Sequence, residues 1–407
     1  MSEGLQLGVD VRGLDADVYK QGVHAATLRR RDGGVEFTYT PDYLSASLPP
    51  VATTLPLTDE PVVGRGGAVP PYFAGLLPEG RRLSGLRRAV KTSADDELSL
   101  LLAVGVDPVG DVQVVAAGEQ PMVAEPLITV ERDFADVTYS DILAEAGIVD
   151  PMALAGVQDK ASARMMSVPV GLGSGRFILK VDPPEFPNVV ANEAYFIEVA
   201  RKAGFTVVKA QVVHDRGDRP GLLVARFDRV IAADGSLTAL AVEDATQVLG
   251  LYPSEKYNVT TEQLVHALSS QCAARVLAVR EVFRQIVYAW LTGNGDVHAK
   301  NISILRTSVA GEWRIAPAYD LPSTLPYRDF TMALSVGGKR DGLSRRSLME
   351  FAHVVGLPDR AAGRVLDDVL NATAGVIEDL ESGVIPVPAQ ALRPWVRGLR
   401  NRRKVLE

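Results

Sequence analysis

Residues 293–301 read Gly-Asn-Gly-Asp-Val-His-Ala-Lys-Asn, and the elements on either side of this segment can be predicted from it outward. The apolar residues ahead of it recur at the spacing of one helical face: Val279, Val282, Phe283, Ile286, Val287 and Trp290. Gly293 is expected to end that helix, because glycine tolerates the left-handed backbone of a C-cap. Asp296 therefore lies on a loop that a buried helix anchors.

Two short strands are predicted after this loop. Residues 302–305 (Ile-Ser-Ile-Leu) and 313–315 (Trp-Arg-Ile) read as strands separated by a polar turn. Such a hairpin would return the chain to its starting point. It would then place Asp320 beside Asp296 and Asn301.

The order of these polar residues is the layout that protein kinases use for phosphoryl transfer. Asp296 would orient the acceptor hydroxyl and take its proton, while Asn301 and Asp320 would hold Mg²⁺ on the phosphates. Each residue taken singly could instead serve a turn, but the ordered set favours a kinase. For His298 we predict structural support of the loop, because the five histidines show no paired zinc-ligand spacing.

A kinase also needs a lysine that neutralises phosphate charge. Lys180 ends the strand-like run 176–181, and Glu193 on the next predicted helix could pair with it; an exposed strand-end lysine fits the local sequence equally well. Residues 171–175 are glycine-rich but lack the Gly-Lys-Ser/Thr ending of a Walker loop, which indicates a hairpin turn. Residues 155–160 (Ala-Gly-Val-Gln-Asp-Lys) are a better candidate for the loop that covers the phosphates.

Composition bounds the class of protein. The 407 residues are 47% hydrophobic and 23% charged, with a net charge of −7, which predicts a globular protein of two packed units without a general attraction to nucleic acid. The single cysteine, Cys272, excludes an internal disulfide and fits a reducing cytoplasm. We find no signal peptide and no apolar run of about 18 residues, so we expect a cytoplasmic protein without membrane contact.

The order of elements predicts an α+β protein with a kinase-like core of two lobes. Strands dominate residues 5–65, helices follow to about residue 105, and strands then precede helices in the remainder. We predict an N-terminal subdomain (1–135), a sheet-bearing ATP-binding lobe (136–240) and a helical catalytic lobe (241–407).

Two basic clusters are better explained as solvated helix faces than as nucleic-acid sites. The first lies on the helical stretch predicted at about 71–90 and consists of Arg81, Arg82, Arg87, Arg88 and Lys91. The second is C-terminal and consists of Arg393, Arg397, Arg400, Arg402, Arg403 and Lys404.

Over nearly its full length the chain resembles the HipA family of bacterial toxin kinases. The matching pieces occur in family order at residues 76–80, 105–110, 155–160, 177–180, 192–193, 225–229, 243–244, 256–257 and 296–320. The resemblance implies an N-terminal α/β subdomain joined to a kinase core of the phosphoinositide-kinase type. It also implies that ATP lies between the two lobes of that core.

The resemblance further implies a set of nucleotide contacts. Residues 155–160 look like the phosphate loop, Lys180 like the phosphate-binding lysine, and residues 225–227 like the hinge that meets adenine through its backbone. The complete set of implied ATP contacts is Ala155, Gly156, Val157, Gln158, Asp159, Lys160, Lys180, Ala225, Arg226, Phe227, His298, Ala299, Lys300, Asn301, Tyr319 and Asp320. Asn301 and Asp320 are also the implied Mg²⁺ ligands.

Membership of this family would imply a serine/threonine-protein kinase toxin. Family members phosphorylate serine or threonine of protein substrates, in known cases aminoacyl-tRNA synthetases, and this stalls translation. A helix-turn-helix antitoxin of the HipB type usually neutralises them. The toxin–antitoxin complex then represses its own operator DNA.

Two positions depart from the family pattern. Ala153 stands where the family usually has an autophosphorylated serine, and alanine cannot accept a phosphate, so self-inactivation at that position is excluded. Val242 replaces the usual glutamine ahead of Glu243 and Asp244, which puts any role of that glutamine in doubt. Neither change touches the predicted catalytic residues, so we expect ATP binding and phosphate transfer to survive.

Two other functions stay open at this level. Small-molecule kinases of the aminoglycoside or choline type use a similar loop, usually with His before the Asp, whereas here Gly295 precedes Asp296 and His298 comes after it. A non-catalytic corepressor that keeps ATP as a structural ligand is the second alternative. In that case the C-terminal basic cluster could contact DNA phosphates.

Overall fold

The computed structural model describes residues 10–122, 126, 128–146, 165–231, 235–308 and 311–407. These residues form an N-terminal unit, a sheet-bearing lobe and a helical lobe. The predicted phosphate loop, Ala155 to Lys160, and the departure at Ala153 lie outside the described residues.

An antiparallel sheet forms the centre of the N-terminal unit. Its strands are β1 (Ala16–Lys20), β2 (Val23–Arg31), β3 (Gly34–Tyr39), β4 (Val62–Val63) and β5 (Val112–Ala116). They are ordered β4-β3-β2-β1-β5 in space. Aromatic side chains fill one face of this sheet, where Phe37 packs against Tyr39 and Phe73.

The helices of this unit are α1 (Pro41–Ser45), α2 (Pro71–Ala74), α3 (Gly80–Val90) and α4 (Glu97–Val104). The helical stretch predicted at about 71–90 therefore forms two helices, α2 and α3, with a break between them. Pro78 lies in the break, and a proline lacks the N–H that a continuous helix would need. Gly80, the first residue of α3, has a φ of 57°, a backbone conformation that glycine adopts readily.

A second sheet forms the next lobe. Its strands are β6 (Ile128–Val130), β7 (Met166–Leu172), β8 (Gly175–Val181), β9 (Ala210–His214) and β10 (Pro220–Ala225), ordered β6-β7-β8-β10-β9. Strands β7 and β8 form the predicted hairpin, whose turn is glycine-rich as expected. Strand β6 pairs in parallel with β7 although it precedes residue 135. The domain boundaries proposed from the sequence stay predictions.

Two helices and a small hairpin complete this lobe. They are α5 (Tyr139–Glu145), α6 (Val189–Lys202), β11 (Arg229–Ile231) and β12 (Leu237–Ala239). Helix α6 lies against strands β9 and β10 and presents Phe196 to the main hydrophobic core.

Helices dominate the last lobe. They are α7 (Ala245–Val248), α8 (Thr261–Gln271), α9 (Arg275–Thr292), α10 (Arg345–Val354), α11 (Asp359–Ala372), α12 (Val376–Glu381) and α13 (Ala389–Lys404). A three-stranded antiparallel sheet borders the cleft and consists of β13 (Val242–Asp244), β14 (Ser303–Arg306) and β15 (Trp313–Ile315). None of the helices that the structure describes combines the length and the apolar character that a bilayer crossing requires.

Helix α9 is the centre of this lobe. It packs against α8, α11 and α13, and every side chain from Gln285 to Thr292 is buried. The helix ends as the sequence predicts, with Gly293 at a φ of 70°. An added Cβ at Gly293 would lie 2.4 Å from Cδ1 of Leu325. Glycine is therefore required at this position both by the backbone and by the available space.

Polar contacts tie the N-terminal unit to the two lobes. Asp107 accepts hydrogen bonds from Arg226 and Arg229, and Glu243 accepts two from Thr53, at 2.9 Å from its N–H and 2.6 Å from its hydroxyl. These partners are 119 to 190 residues apart in the chain. They hold the N-terminal unit against the cleft between the lobes.

Candidate active site

The loop after α9 holds Asp296 in one orientation. Its backbone N–H donates to the side-chain oxygen of Asn294 at 3.0 Å, and its carbonyl accepts from the Asn301 amide at 2.8 Å. The hydroxyl of Tyr257 donates to Oδ1 of Asp296 at 3.1 Å. Asp296 is 2% exposed. The carboxylate is therefore buried, and the hydrogen bond from Tyr257 directs it.

The hairpin of β14 and β15 returns the chain to this loop. As a result the Asn301 amide nitrogen lies 3.0 Å from Oδ2 of Asp320, and the Asn294 amide donates to the Asp320 carbonyl at 3.1 Å. Asp320 has a left-handed φ of 57°, which aspartate tolerates better than most residues. The structure thus brings together the three polar residues that the sequence grouped, while their chemical roles stay predictions.

Lys180 lies at the same point of the cleft. Its ammonium group donates to Glu193 at 2.7 Å and to Asp320 at 3.1 Å, and its side chain is 14% exposed. Burial acts to lower the pKa of Lys180, but the carboxylates of Asp320 and Glu193 outweigh it and raise the pKa above the ordinary lysine value. A charged, paired lysine is therefore present, and the alternative of an exposed strand-end lysine is wrong.

A cavity of about 360 Å³ lies between the lobes next to Lys180. Ala225 and Phe227 line it, and the Phe227 ring stacks on Tyr319 with centroids 5.8 Å apart. The N–H of Ala225 donates to the Lys209 carbonyl, so this predicted hinge group is already bonded within the protein. Apolar walls with a few polar backbone groups are typical of a nucleotide-base site.

Arg226 also lines this cavity, but its guanidinium turns toward the N-terminal unit. It donates to Asp107 at 2.7 Å, to Asp228 at 2.9 Å and to the Pro108 carbonyl at 2.8 Å. Its backbone N–H donates to the Arg176 carbonyl. The side chain of Arg226 therefore joins the lobe to the N-terminal unit.

A second cavity, of about 280 Å³, is lined by the residues to which the sequence assigned the phosphate transfer. Asp296, His298, Asn301 and Asp320 line it. The two cavities share four lining residues, namely Pro78, Glu79, Arg82 and Lys300. Three of these four belong to the N-terminal unit, so that unit forms part of the wall of the cleft.

The sequence analysis did not predict that residues of the N-terminal unit line the cleft. Glu79 pairs with Lys256 and with Lys300, and Lys300 also donates to the Gly75 carbonyl at 3.1 Å. Burial acts to raise the pKa of Glu79, but Lys300 and Lys256 outweigh it and lower that pKa. The only signal in the sequence was that residues 76–80 and 256–257 match the family, without any assigned role.

The remaining residues of the predicted set pack around the loop. His298 stands edge-on to Tyr257, with ring centroids 5.1 Å apart, and burial together with the charge of Lys256 lowers the pKa of His298 to about 4. Its ring is thus neutral near pH 7, in keeping with a supporting role. Ala299 is buried and donates its N–H to the Lys256 carbonyl, while the Tyr319 hydroxyl donates to the Lys300 carbonyl.

The donor set at Asn301 and Asp320 suits Mg²⁺. Asn301 uses its amide nitrogen for its contacts with the Asp296 carbonyl and the Asp320 carboxylate, so its amide oxygen is the atom that would serve as a ligand. Mg²⁺ is usually held by one or two carboxylates together with substrate phosphates and water. In the part of the chain that the structure describes, no group of three or more His, Cys, Asp and Glu side chains forms a separate metal site.

Three of the six members of the C-terminal basic cluster have partners within the protein. Arg402 is buried, donates to the Trp290 carbonyl at 2.9 Å and stacks on the Trp290 ring. Arg403 donates to the Leu370 carbonyl, and Arg400 pairs with Glu381. These arginines therefore attach α13 to its neighbours, and Arg402 is not on a solvated face as predicted.

Comparison with known proteins identifies the family. A family model of the HipA N-terminal domain matches residues 16–115, and one of the HipA-like C-terminal domain matches residues 152–377. The chain belongs to the HipA family. Protein Y4mE of Sinorhizobium fredii is 30% identical over 86% of this chain and 88% of its own length. The serine/threonine-protein kinase toxin HipA of Shewanella oneidensis is 27% identical over 79% of this chain and 78% of its own length.

A solved structure shares the fold. The Shewanella oneidensis HipA chain, solved as a complex of HipA, HipB and operator DNA, matches with a TM-score of 0.75 and 20% identity over 96% of this chain and 97% of that one. The predicted α+β fold, with a two-lobed kinase-like core and an N-terminal HipA unit, is thereby confirmed. The HipA relatives identify the chain as a kinase-like protein.

Proposed function

We propose that this chain is an ATP- and Mg²⁺-dependent serine/threonine-protein kinase and the toxin of a HipA/HipB-type pair. The observation that carries the proposal is the convergence of Lys180, Asn301 and Asp320 on one cleft, with Asp296 beside them. A carboxylate base, an amide and a carboxylate for metal, and a paired lysine for phosphate are the parts that phosphoryl transfer requires.

In the proposed reaction Asp296 accepts a hydrogen bond from a serine or threonine hydroxyl. The hydroxyl oxygen forms a bond to the γ-phosphorus as the bond from that phosphorus to the β–γ bridging oxygen breaks. Its proton moves to Asp296, and ADP leaves. Asn301 and Asp320 would hold Mg²⁺, which supplies neutralisation of the phosphate charge when bound. The hydrogen bond from Tyr257 keeps the carboxylate directed during this step.

The other residues would bind the nucleotide. Lys180 would contact the phosphates, and residues 155–160 would cover them. Adenine would lie against Phe227 and Tyr319, with the backbone at Ala225 to Phe227 as its hinge. Residues His298, Ala299 and Lys300 would complete the floor of the site. In the part of the chain that is described, the Phe227 N–H has no hydrogen-bond partner, which makes it the best placed hinge donor.

The biological setting is proposed from the relatives. A helix-turn-helix antitoxin of the HipB type would bind the chain, operator DNA would be contacted mainly through that complex, and a protein substrate such as an aminoacyl-tRNA synthetase would be phosphorylated to arrest growth. The support is the named activity of the Shewanella relative and the shared fold. We place this chemistry in the cytoplasm.

The test is phosphate transfer from γ-labelled ATP into a bacterial lysate with Mg²⁺. Three proteins are compared: the unchanged chain, Asp296→Asn, and Asp59→Asn as a control at an exposed position that lines neither cavity. We expect labelled protein bands with the unchanged chain and the control, and none with Asp296→Asn. Mass spectrometry of the bands identifies the substrate and the phosphorylated residue.

The contrary results are equally clear. Equal labelling by Asp296→Asn would remove that residue as the base. Absence of labelling by all three proteins, with ATP still bound, would favour a non-catalytic binding role. Transfer to an aminoglycoside or choline but to no protein would favour the small-molecule kinases.

A further inference from the structure

Arg82 occupies a special position in the cleft. It lies in the first turn of α3, which begins at Gly80, and it lines both the cavity beside the hinge and the cavity around Asp296. Arg87 and Arg88, on the same helix, are exposed. The solvated face predicted for this basic helix is therefore correct for the later arginines and wrong for Arg82.

The Arg82 guanidinium also differs from the other cations of the cleft in its partners. Burial and the positive charge of Arg226 lower the pKa of Arg82, although Asp107 opposes them. Among the described residues Arg82 has no hydrogen-bond or ion-pair partner. The other cations that line the two cavities have carboxylate partners: Lys180 with Glu193 and Asp320, Lys256 and Lys300 with Glu79, Arg226 with Asp107 and Asp228, and Arg81 with Glu185.

A half-buried cation without a counterion is costly, and an anion that enters beside it removes that cost. The junction of the two cavities is where the phosphate chain of a nucleotide would lie if its base were at Phe227 and its reactive end at Asp296. A guanidinium can donate two parallel hydrogen bonds to phosphate oxygens, a geometry that lysine cannot match.

We propose that Arg82 is a phosphate-binding residue, contributed to the nucleotide site by the N-terminal unit. The inference rests on the proposed function, since it requires a nucleotide in the cleft. It gives the N-terminal unit a direct part in nucleotide recognition. The contacts of Glu79 with Lys256 and Lys300 then keep α3 at the distance from which Arg82 reaches the phosphates.

Calorimetric titration of the full chain tests the proposal. The probes are adenosine, ADP and a non-hydrolysable β,γ-imido analogue of ATP, each with Mg²⁺. The variants are Arg82→Gln, Arg82→Lys and, as a matched control on the exposed side of the same helix, Arg88→Gln. We expect Arg82→Gln to lower the affinity for the ATP analogue about 10-fold or more, because a charge-assisted contact is lost. Adenosine affinity should not change, Arg82→Lys should recover part of the loss, and Arg88→Gln should match the unchanged chain.

The possible failures are distinguishable. If the unchanged chain binds no ATP analogue, the proposed function fails and this inference fails with it. If the unchanged chain binds the analogue and Arg82→Gln binds it equally well, only the role of Arg82 is overturned. A parallel loss of adenosine and analogue affinity would also overturn it, because it would show that Arg82 merely shapes the cleft. Thermal unfolding without ligand verifies that each variant is folded.

Discussion

The ammonium group of Lys180 lies 3.1 Å from the carboxylate of Asp320, although the two residues are 140 positions apart in the chain. Lys180 belongs to the sheet-bearing lobe, and Asp320 comes after the hairpin of the helical lobe. The contact joins the proposed phosphate-binding lysine to a proposed metal ligand. Both groups therefore lie at the same point of the cleft, although they come from different lobes.

Replacing Lys180 by methionine should affect both stability and binding. The variant leaves the buried Glu193 and the nearby Asp320 without their cation, so the free energy of unfolding should fall by about 3 kcal/mol. ATP binding should be lost, because the phosphates lose their lysine. Denaturant unfolding and calorimetric titration measure the two effects.

Two further variants separate these effects of Lys180. Lys202→Met, at an exposed position of α6, should change neither quantity. The double variant Lys180→Met/Glu193→Gln should regain part of the stability, since one buried charge is removed, but not the ATP binding. Normal ATP affinity in Lys180→Met would show that this lysine is a structural ion-pair partner only.

Replacing Tyr257 by phenylalanine should slow phosphate transfer without weakening ATP binding. The hydroxyl donates to the Asp296 carboxylate, so its loss acts on the proposed base. A hydrogen bond to a charged group is worth about 1.5 kcal/mol, which corresponds to a roughly 10-fold lower kcat. Initial rates of labelled transfer at several ATP concentrations would separate kcat from KM.

The control for Tyr257 is Tyr252→Phe. The Tyr252 hydroxyl accepts a hydrogen bond from the Arg65 N–H, and Tyr252 does not line the cavity around Asp296. We expect this variant to transfer phosphate at the normal rate. An unchanged kcat in Tyr257→Phe, or a raised KM for ATP at constant kcat, would contradict the role given to that hydroxyl.

Glu243 should make the stability depend on pH. Burial raises its pKa from 4.5 to about 7, in spite of the hydrogen bonds from Thr53. A raised carboxyl pKa means that the folded state holds a proton which the unfolded state releases between pH 4.5 and 7. The stability should therefore fall as the pH rises through this window, by up to about 3 kcal/mol.

Glu243→Gln should remove this pH dependence, because an amide keeps a hydrogen-bonding group there without a charge. The difference in melting temperature between the variant and the unchanged chain should favour the variant more at pH 8 than at pH 5. Glu60→Gln, at an exposed position, provides the comparison and should show no such difference. If the Glu243 variant melts in parallel with the unchanged chain at both pH values, the buried carboxyl does not titrate as stated.

Local sequence patterns were sufficient to predict the helix and strands around the loop that carries Asp296. The helical spacing before Gly293, the glycine cap and the two short strands predicted α9, its end and the hairpin of β14 and β15, because each depends on neighbours within a few residues. The same reasoning failed at Pro78, where the break between α2 and α3 was not recognised. The sequence carried a proline signal there, which the prediction of one helical stretch did not use.

The sequence by itself determined the loop that carries Asp296 and Asn301 and, through the hairpin, the return of Asp320. The side chains that face that loop, by contrast, depend on how the three units pack together. Arg82 and Arg88 are alike in sequence, yet one lies in the cleft and the other in solvent; Lys300 meets Gly75 across 225 residues. Helical periodicity specifies the face on which a side chain lies, whereas the partner of that face depends on how distant units pack.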